Sequence, residues 1–113
     1  MAQTDQDFEM YQGDDFSIEF ETVDEAGAAL DISGATIEWN AWDRGVSVLK
    51  KTTTSGISIT DGPGGIFVVT LEPTDTYSLP AKTYFHGANV SLIADHFLTV
   101  ATGIMTLRPK VRT

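Results

Sequence analysis

The sequence predicts an all-β sandwich, and three observations carry that prediction. Apolar and polar residues alternate with a period of two through most of the chain, as a sheet with one buried and one wet face requires. β-Branched and aromatic residues dominate those runs. Turn residues interrupt them at about every tenth position, the spacing of short sandwich strands.

Taken in order, DFEMY (7–11) reads as an edge strand. In DFSIEFETV, Phe16, Ile18 and Phe20 alternate with Ser17, Glu19 and Glu21. The connection DEAGAALDISG carries Gly27 and Gly34 as turn residues, with Leu30 and Ile32 expected to point inward. ATIEWNAWD follows, with Ile37, Trp39 and Ala41 in one register and Glu38, Asn40 and Trp42 in the other. VSVLKKT, ISIT and GIFVVTLE are short strands separated by the polar TTSG and by DGPGG, a tight turn. In PTDTYSL, Pro73 is placed to start one helical turn capped by Thr74 or Asp75. KTYFHGANVSLIA and FLTVATGIMTLR close the chain as a hairpin turning at Ala94, Asp95 and His96. The sum is seven or eight strands in a two-sheet Greek key, with no helix of useful length. The expected core is Phe16, Ile18, Phe20, Ile37, Trp39, Phe67, Val69, Leu71, Tyr84, Val90, Met105 and Leu107. The segment between Pro73 and Tyr84 reads as a corner between sheets, with the Tyr84 ring in the core and its hydroxyl offered to backbone in that corner.

At 113 residues and 42% apolar, the chain suits one domain, 1–113, with residues 1–7 as a loose N-terminal arm. No apolar run nears the ~20 residues of a spanning helix, and the N-terminus lacks the basic flank and apolar stretch of a secretory signal. With no Cys, thiolate ligands, disulfides and a Cys nucleophile are all excluded. The net charge of -9 is unevenly placed: residues 1–43 hold twelve acidic residues and no Lys or Arg. Such a surface repels phosphate backbones, so neither nucleic acid nor a membrane is an expected partner.

The residue types that carry chemistry are sparse. There are only two histidines, His86 on the same strand face as Tyr84, Ala88, Val90 and Leu92, and His96 in a turn. Zinc needs three or four convergent ligands, so His86 is expected to be a core imidazole with a hydrogen-bond partner. There is no G-x-S-x-G elbow for a nucleophilic serine. Asp14, Asp15, Asp24, Glu25, Asp31 and Asp61 are hard oxygen ligands in turns, but none forms the alternating loop of a calcium site. The expectation is no enzyme, no metal and no cofactor. Trp42 is left on the outer face, where an exposed indole marks a contact surface.

The runs GDDFSIEFETVDEAGAALDISGATIEWNAWD, LKKTTTSGISITDGPGGIFVVTLEPTDTYSLPAKTYFHGANVSLI and GIMTLRP resemble a small immunoglobulin-like domain of tailed bacteriophages, the N-terminal domain family of the baseplate upper protein. The matching elements are Gly13-Asp14, the stretch from Leu30 to Ala35, and the stretch from Gly65 to Tyr84; Lys82 departs from the Gly usual before Thr-Tyr. The resemblance implies an immunoglobulin-like sandwich acting as a non-enzymatic structural protein of the virion, in the tail, baseplate or neck or as a capsid decoration. Its partners would be other virion proteins and copies of itself, assembled in the host cytoplasm. A host cell-surface glycan, held by Trp42 with Asn40, Asp43 and Arg44, is the alternative ligand. Interface candidates are Trp42 and Tyr11 as apolar contacts, with the basic Arg108, Lys110 and Arg112 facing the acidic Asp14 and Asp15 of a neighbour.

Overall fold

The alternating runs form eight strands in two sheets in the computed structural model, which describes residues 3–93 and 96–111. In chain order these are β1 (Phe8–Tyr11), β2 (Phe16–Glu21), β3 (Thr36–Asp43), β4 (Val46–Thr52), β5 (Ile57–Asp61), β6 (Ile66–Leu71), the helical turn α1 (Pro73–Thr76), β7 (Thr83–Ile93) and β8 (His96–Arg108). One sheet has the order β1-β8-β7-β3-β4 and the other β2-β6-β5, so the chain changes sheet after β1, β2, β4 and α1. All pairs are antiparallel except β1 with β8, where Phe8 lies beside Met105 and Tyr11 beside Arg108.

The inward residues of both sheets meet in one core. Phe20, Phe67, Val69 and Leu71 of the smaller sheet face Ile37, Trp39, Val90, Met105 and Leu107 of the larger, all of them buried. The Phe20 and Phe67 rings stack at 5.2 Å. Phe16 and Ile18, expected in the core, are half-buried and pack against its rim. Ile32 is fully buried, so the long β2–β3 connection seals one side of the sandwich. Its path is held by Thr22, whose hydroxyl donates to the Gly65 carbonyl at 2.9 Å. Gly65 has φ 73°, and an added Cβ there would come within 2.7 Å of both the Thr22 and Leu30 carbonyls, so only glycine fits.

The corner between Pro73 and Tyr84 is built as a chain of side-chain clasps. Glu72, not Thr74 or Asp75, is the N-cap of α1: it forms a capping box with Asp75, whose carboxylate accepts the Glu72 N–H at 2.7 Å. The proline at the first helical position leaves Asp75 the third, which is where a reciprocal cap partner must stand. Asp75 also pairs with Lys51 of β4 at 2.8 Å. Thr76, fully buried, accepts the Gly13 N–H through its hydroxyl. Tyr84 is buried and donates its hydroxyl to the Pro80 carbonyl at 2.5 Å, closing the corner as its position in the sequence predicts. Lys82 has no left-handed backbone and reaches across to Asp43 at 2.9 Å, so the corner forms without the glycine usual there. Tyr84→Phe should cost roughly 1 kcal/mol and lower Tm by several degrees, with an unchanged urea m-value. A variant as stable as the parent would show that the hydroxyl contributes nothing to the corner.

Candidate functional site

Over the residues described, the N-terminal arm, expected to be loose, is hydrogen-bonded to the edge of the larger sheet. Residues 3–7 lie along β8: the Gln3 N–H donates to Val100, the Thr102 N–H to Gln3, and the Gln6 N–H to Thr102. The Asp7 carboxylate accepts the Ile104 N–H at 2.8 Å. Polar composition hides this, because the arm is held by backbone hydrogen bonds rather than by apolar side chains. The same arm covers His86. The Trp39 indole N–H donates to His86 Nδ1 at 3.1 Å, so Nδ1 is the unprotonated nitrogen. His86 Nε2 then carries the proton and donates it to the Gln6 carbonyl at 2.6 Å. This geometry depends on Gly103, opposite His86 in the register, where an added Cβ would stand 2.5 Å from the Gln6 oxygen.

His86 is therefore a core imidazole, as its strand position predicts, packed edge-on to Phe8 at 4.9 Å. Both ring nitrogens are engaged within the chain, which leaves neither as a base or a metal ligand. Burial holds its pKa below the ordinary imidazole value, a shift that the Gln6 carbonyl and the Asp7 charge oppose. His96 is exposed at the start of β8. Among the described residues, no group of three His, Asp or Glu side chains is placed to hold a metal ion. Three of the six acidic turn residues serve their own turns: Asp24 accepts the N–H groups of Ala26 and Ala28, Asp31 that of Ser33, and Asp61 that of Gly64. Hydrogen bonds from the Ser33 side chain and backbone lower the Asp31 pKa.

What the structure does assemble is an outer face on the larger sheet. Trp42, Phe85 and Ile104 lie side by side across β3, β7 and β8 in the strand register. Trp42 is half-buried, its indole 3.5 Å from where a Cβ on Gly87 would sit, while Phe85 is 67% exposed. Together with Thr4, Asp5 and Asp7 of the arm they border an open groove of about 380 Å³. Of the polar neighbours expected beside Trp42, Asn40 is buried between Glu38 and Ser47 and Asp43 is paired with Lys82, while Arg44 is exposed in the β3–β4 turn.

At the far end of the same sheet, the β7–β8 hairpin outruns its neighbours. The last β7 residue paired with β3 is Ser91, and beyond it Ile93 and Phe97 are 69% and 68% exposed. Leu92, expected on the buried face, is half exposed, one residue past the last β7–β3 pair. Of the other interface candidates, Tyr11, Asp14 and Asp15 are exposed near the end of β1 and the start of β2. Arg108 pairs with Glu9 of its own chain at 3.0 Å, and Lys110 Nζ stands 4.3 Å from the Tyr77 ring centre. Arg112 lies outside the described residues. Sequence reasoning missed Phe85, Ile93, Phe97 and Ile104; the signal for them was present as the alternate register of the two last strands. No family model and no curated protein matches this chain.

The clasp on His86 makes stability depend on pH. Its pKa is depressed in the folded state, so the unfolded chain takes up the extra proton first as pH falls. Stability should be full above about pH 6.5 and decline as pH falls from there toward the folded value, by at most ~1.4 kcal/mol per unit. Urea midpoints between pH 7.5 and 5.5 would show this slope, and His86→Gln should be less stable but flat across the same range. An equal slope in the variant would assign the dependence to other groups.

Proposed function

We propose that this chain is a non-enzymatic assembly module of a tailed bacteriophage virion, an immunoglobulin-like sandwich of the tail, baseplate or neck or a capsid decoration. The single observation that carries the assembly role is the outer face of β7 and β8. Its outward residues between Phe85 and Ile93 and between Phe97 and Thr106 include no charged side chain among those described, although the chain has sixteen acidic residues. A solvated sheet face on so acidic a protein would be expected to hold charge; an uncharged one with exposed aromatics is suited to being covered. The bacteriophage context rests on the resemblance. Its residues occupy structural positions here: Gly13-Asp14 leads into β2, the stretch from Leu30 to Ala35 precedes β3, and the stretch from Gly65 to Tyr84 includes the corner closed by the Tyr84 hydroxyl. The strand order and this corner support the Greek-key, immunoglobulin-like reading.

The groove favours one alternative, a host cell-surface glycan. An indole and a phenyl ring beside Thr4, Asp5 and Asp7 offer apolar faces and hydroxyl acceptors together, as sugar rings require. Two measurements separate the readings. A virion component should co-purify with intact particles at fixed stoichiometry through a density gradient. A glycan module should retain sugars on an array and lose them in Trp42→Ala. Absence from particles together with Trp42-dependent glycan binding would overturn the virion proposal.

A further inference from the structure

We infer that the outer face of the β7–β8 hairpin joins two copies of this chain in an antiparallel, two-fold dimer. The inference rests on the assembly reading of that face and names its partner.

Three features of the face point to a second copy. The first is its layout. Along β7 the outward residues run Phe85, Gly87, Asn89, Ser91, and past a second register shift Ile93, opposite His96, stands exposed at the hairpin end, so large apolar side chains lie at both ends with small or polar ones between. On β8 the outward row is Phe97 and Thr99, then Thr102 and Ile104, because a bulge between the Ala88–Ala101 and Asn89–Thr99 pairs turns both Val100 and Ala101 inward. A two-fold contact requires each patch to meet the other's counterpart. With the axis at the Asn89–Thr99 pair, the Ile93 and Phe97 end of one copy lies over the Trp42, Phe85 and Ile104 groove of the other. The contact is then made twice, about 26 Å apart, the length of eight strand residues. The low centre lets the two faces approach while the ends interdigitate.

The second feature is charge. Each copy carries -9, so two copies repel wherever acidic surfaces meet. This face brings them together without opposing two charged rows: Asp5 and Asp7 stand at the groove's rim, and Glu38 is paired with Lys50 beside it.

The third is area. Phe85, Ile93 and Phe97 are each about two-thirds exposed. With Trp42, Ile104 and the threonines they offer on the order of 600 Å² per copy, or roughly 1,200 Å² for the pair, the low end of a specific, stable interface. The overhanging end alone, set against another such end, would fall well short of that. The area reaches the required size only when each end also covers a groove.

Sedimentation equilibrium of the whole chain over a range of concentrations tests this. The expected result is a monomer–dimer equilibrium with Kd in the micromolar range or tighter. Phe85→Glu and Phe97→Glu should each weaken it at least about 100-fold, since each places a carboxylate in both halves of the contact. Both side chains are exposed in the monomer, so the unfolding curve of the dilute variants should match the parent's. Because the chain has no Cys, Asn89→Cys should form a disulfide between copies on oxidation, whereas a cysteine at Glu19 on the opposite sheet should not. A chain monomeric throughout, a ladder of larger oligomers, or a dimer indifferent to both substitutions would each overturn the two-fold arrangement. A monomer that still joins particles would overturn this inference alone, while a dimer absent from particles would overturn only the virion reading.

Discussion

The hydrogen-bond relay from Trp39 through His86 to Gln6 is the constraint on which most of the larger sheet depends. It runs from the centre of the core, through an imidazole with no room for a second proton, to a backbone carbonyl outside β8. Protonating Nδ1 would set two donors against each other across 3.1 Å. A phenyl ring at this position would fill the space and leave both the indole N–H and the Gln6 carbonyl without partners. The histidine is therefore a structural tie rather than a reactive group, and burial keeps it in the one tautomer that serves both bonds.

That tie has a consequence for the surface. The Gln6 carbonyl is the point where the arm bends over Gly103, and Asp5, next to it, has φ 57°, a left-handed conformation that costs energy for a residue with a side chain. Thr4, Asp5 and Asp7 on either side of this bend form one wall of the groove, and Trp42 and Phe85 belong to the other. The interior bond thus sets the shape of the exterior groove. Releasing the arm would remove one wall and uncover the edge of β8, whose backbone groups would then be open to pairing with another chain.

The strands were legible because a half-buried strand alternates, and nearly every run here does. Phe20, Ile37, Trp39, Val69 and Tyr84 could be placed in the core from their registers alone. What alternation cannot reveal is where it changes phase. The bulge at Val100 and Ala101 buries two consecutive residues, so a strict period of two carried through β8 assigns half of its side chains to the wrong sheet face. Strand length is equally hidden, since the same pattern describes a strand covered throughout and one that overruns its neighbours. Ile93 and Phe97 read as ordinary strand residues until the pairing of β7 with β3 is seen to stop at Ser91. The arm was illegible for another reason: its attachment is by backbone groups, which every residue has.

The charge pattern shows most clearly how pairing rewrites sequence. An acidic first half and a basic second half suggest a molecule with two poles. Yet β1 lies beside β8 and β3 is flanked by β4 and β7, so the halves are interleaved strand by strand. Arg108 meets Glu9 across the β1–β8 pair, Lys50 meets Glu38 across β3–β4, and Lys82 meets Asp43 at the end of β3. Lys51 caps the helical turn through Asp75, and Lys110 lies over Tyr77. Five cations are thus engaged at home, and most of these pairs are too exposed to stabilise the fold appreciably. Their effect is on what the surface has left to offer. With five of the seven basic residues engaged, most of the remaining charged exterior is acidic. A copy approaching another is repelled from most directions, and the uncharged face of the long hairpin is where that repulsion is weakest. Net charge then acts as a selector: it supplies no attraction between copies, but it leaves apolar contact at that face the least opposed.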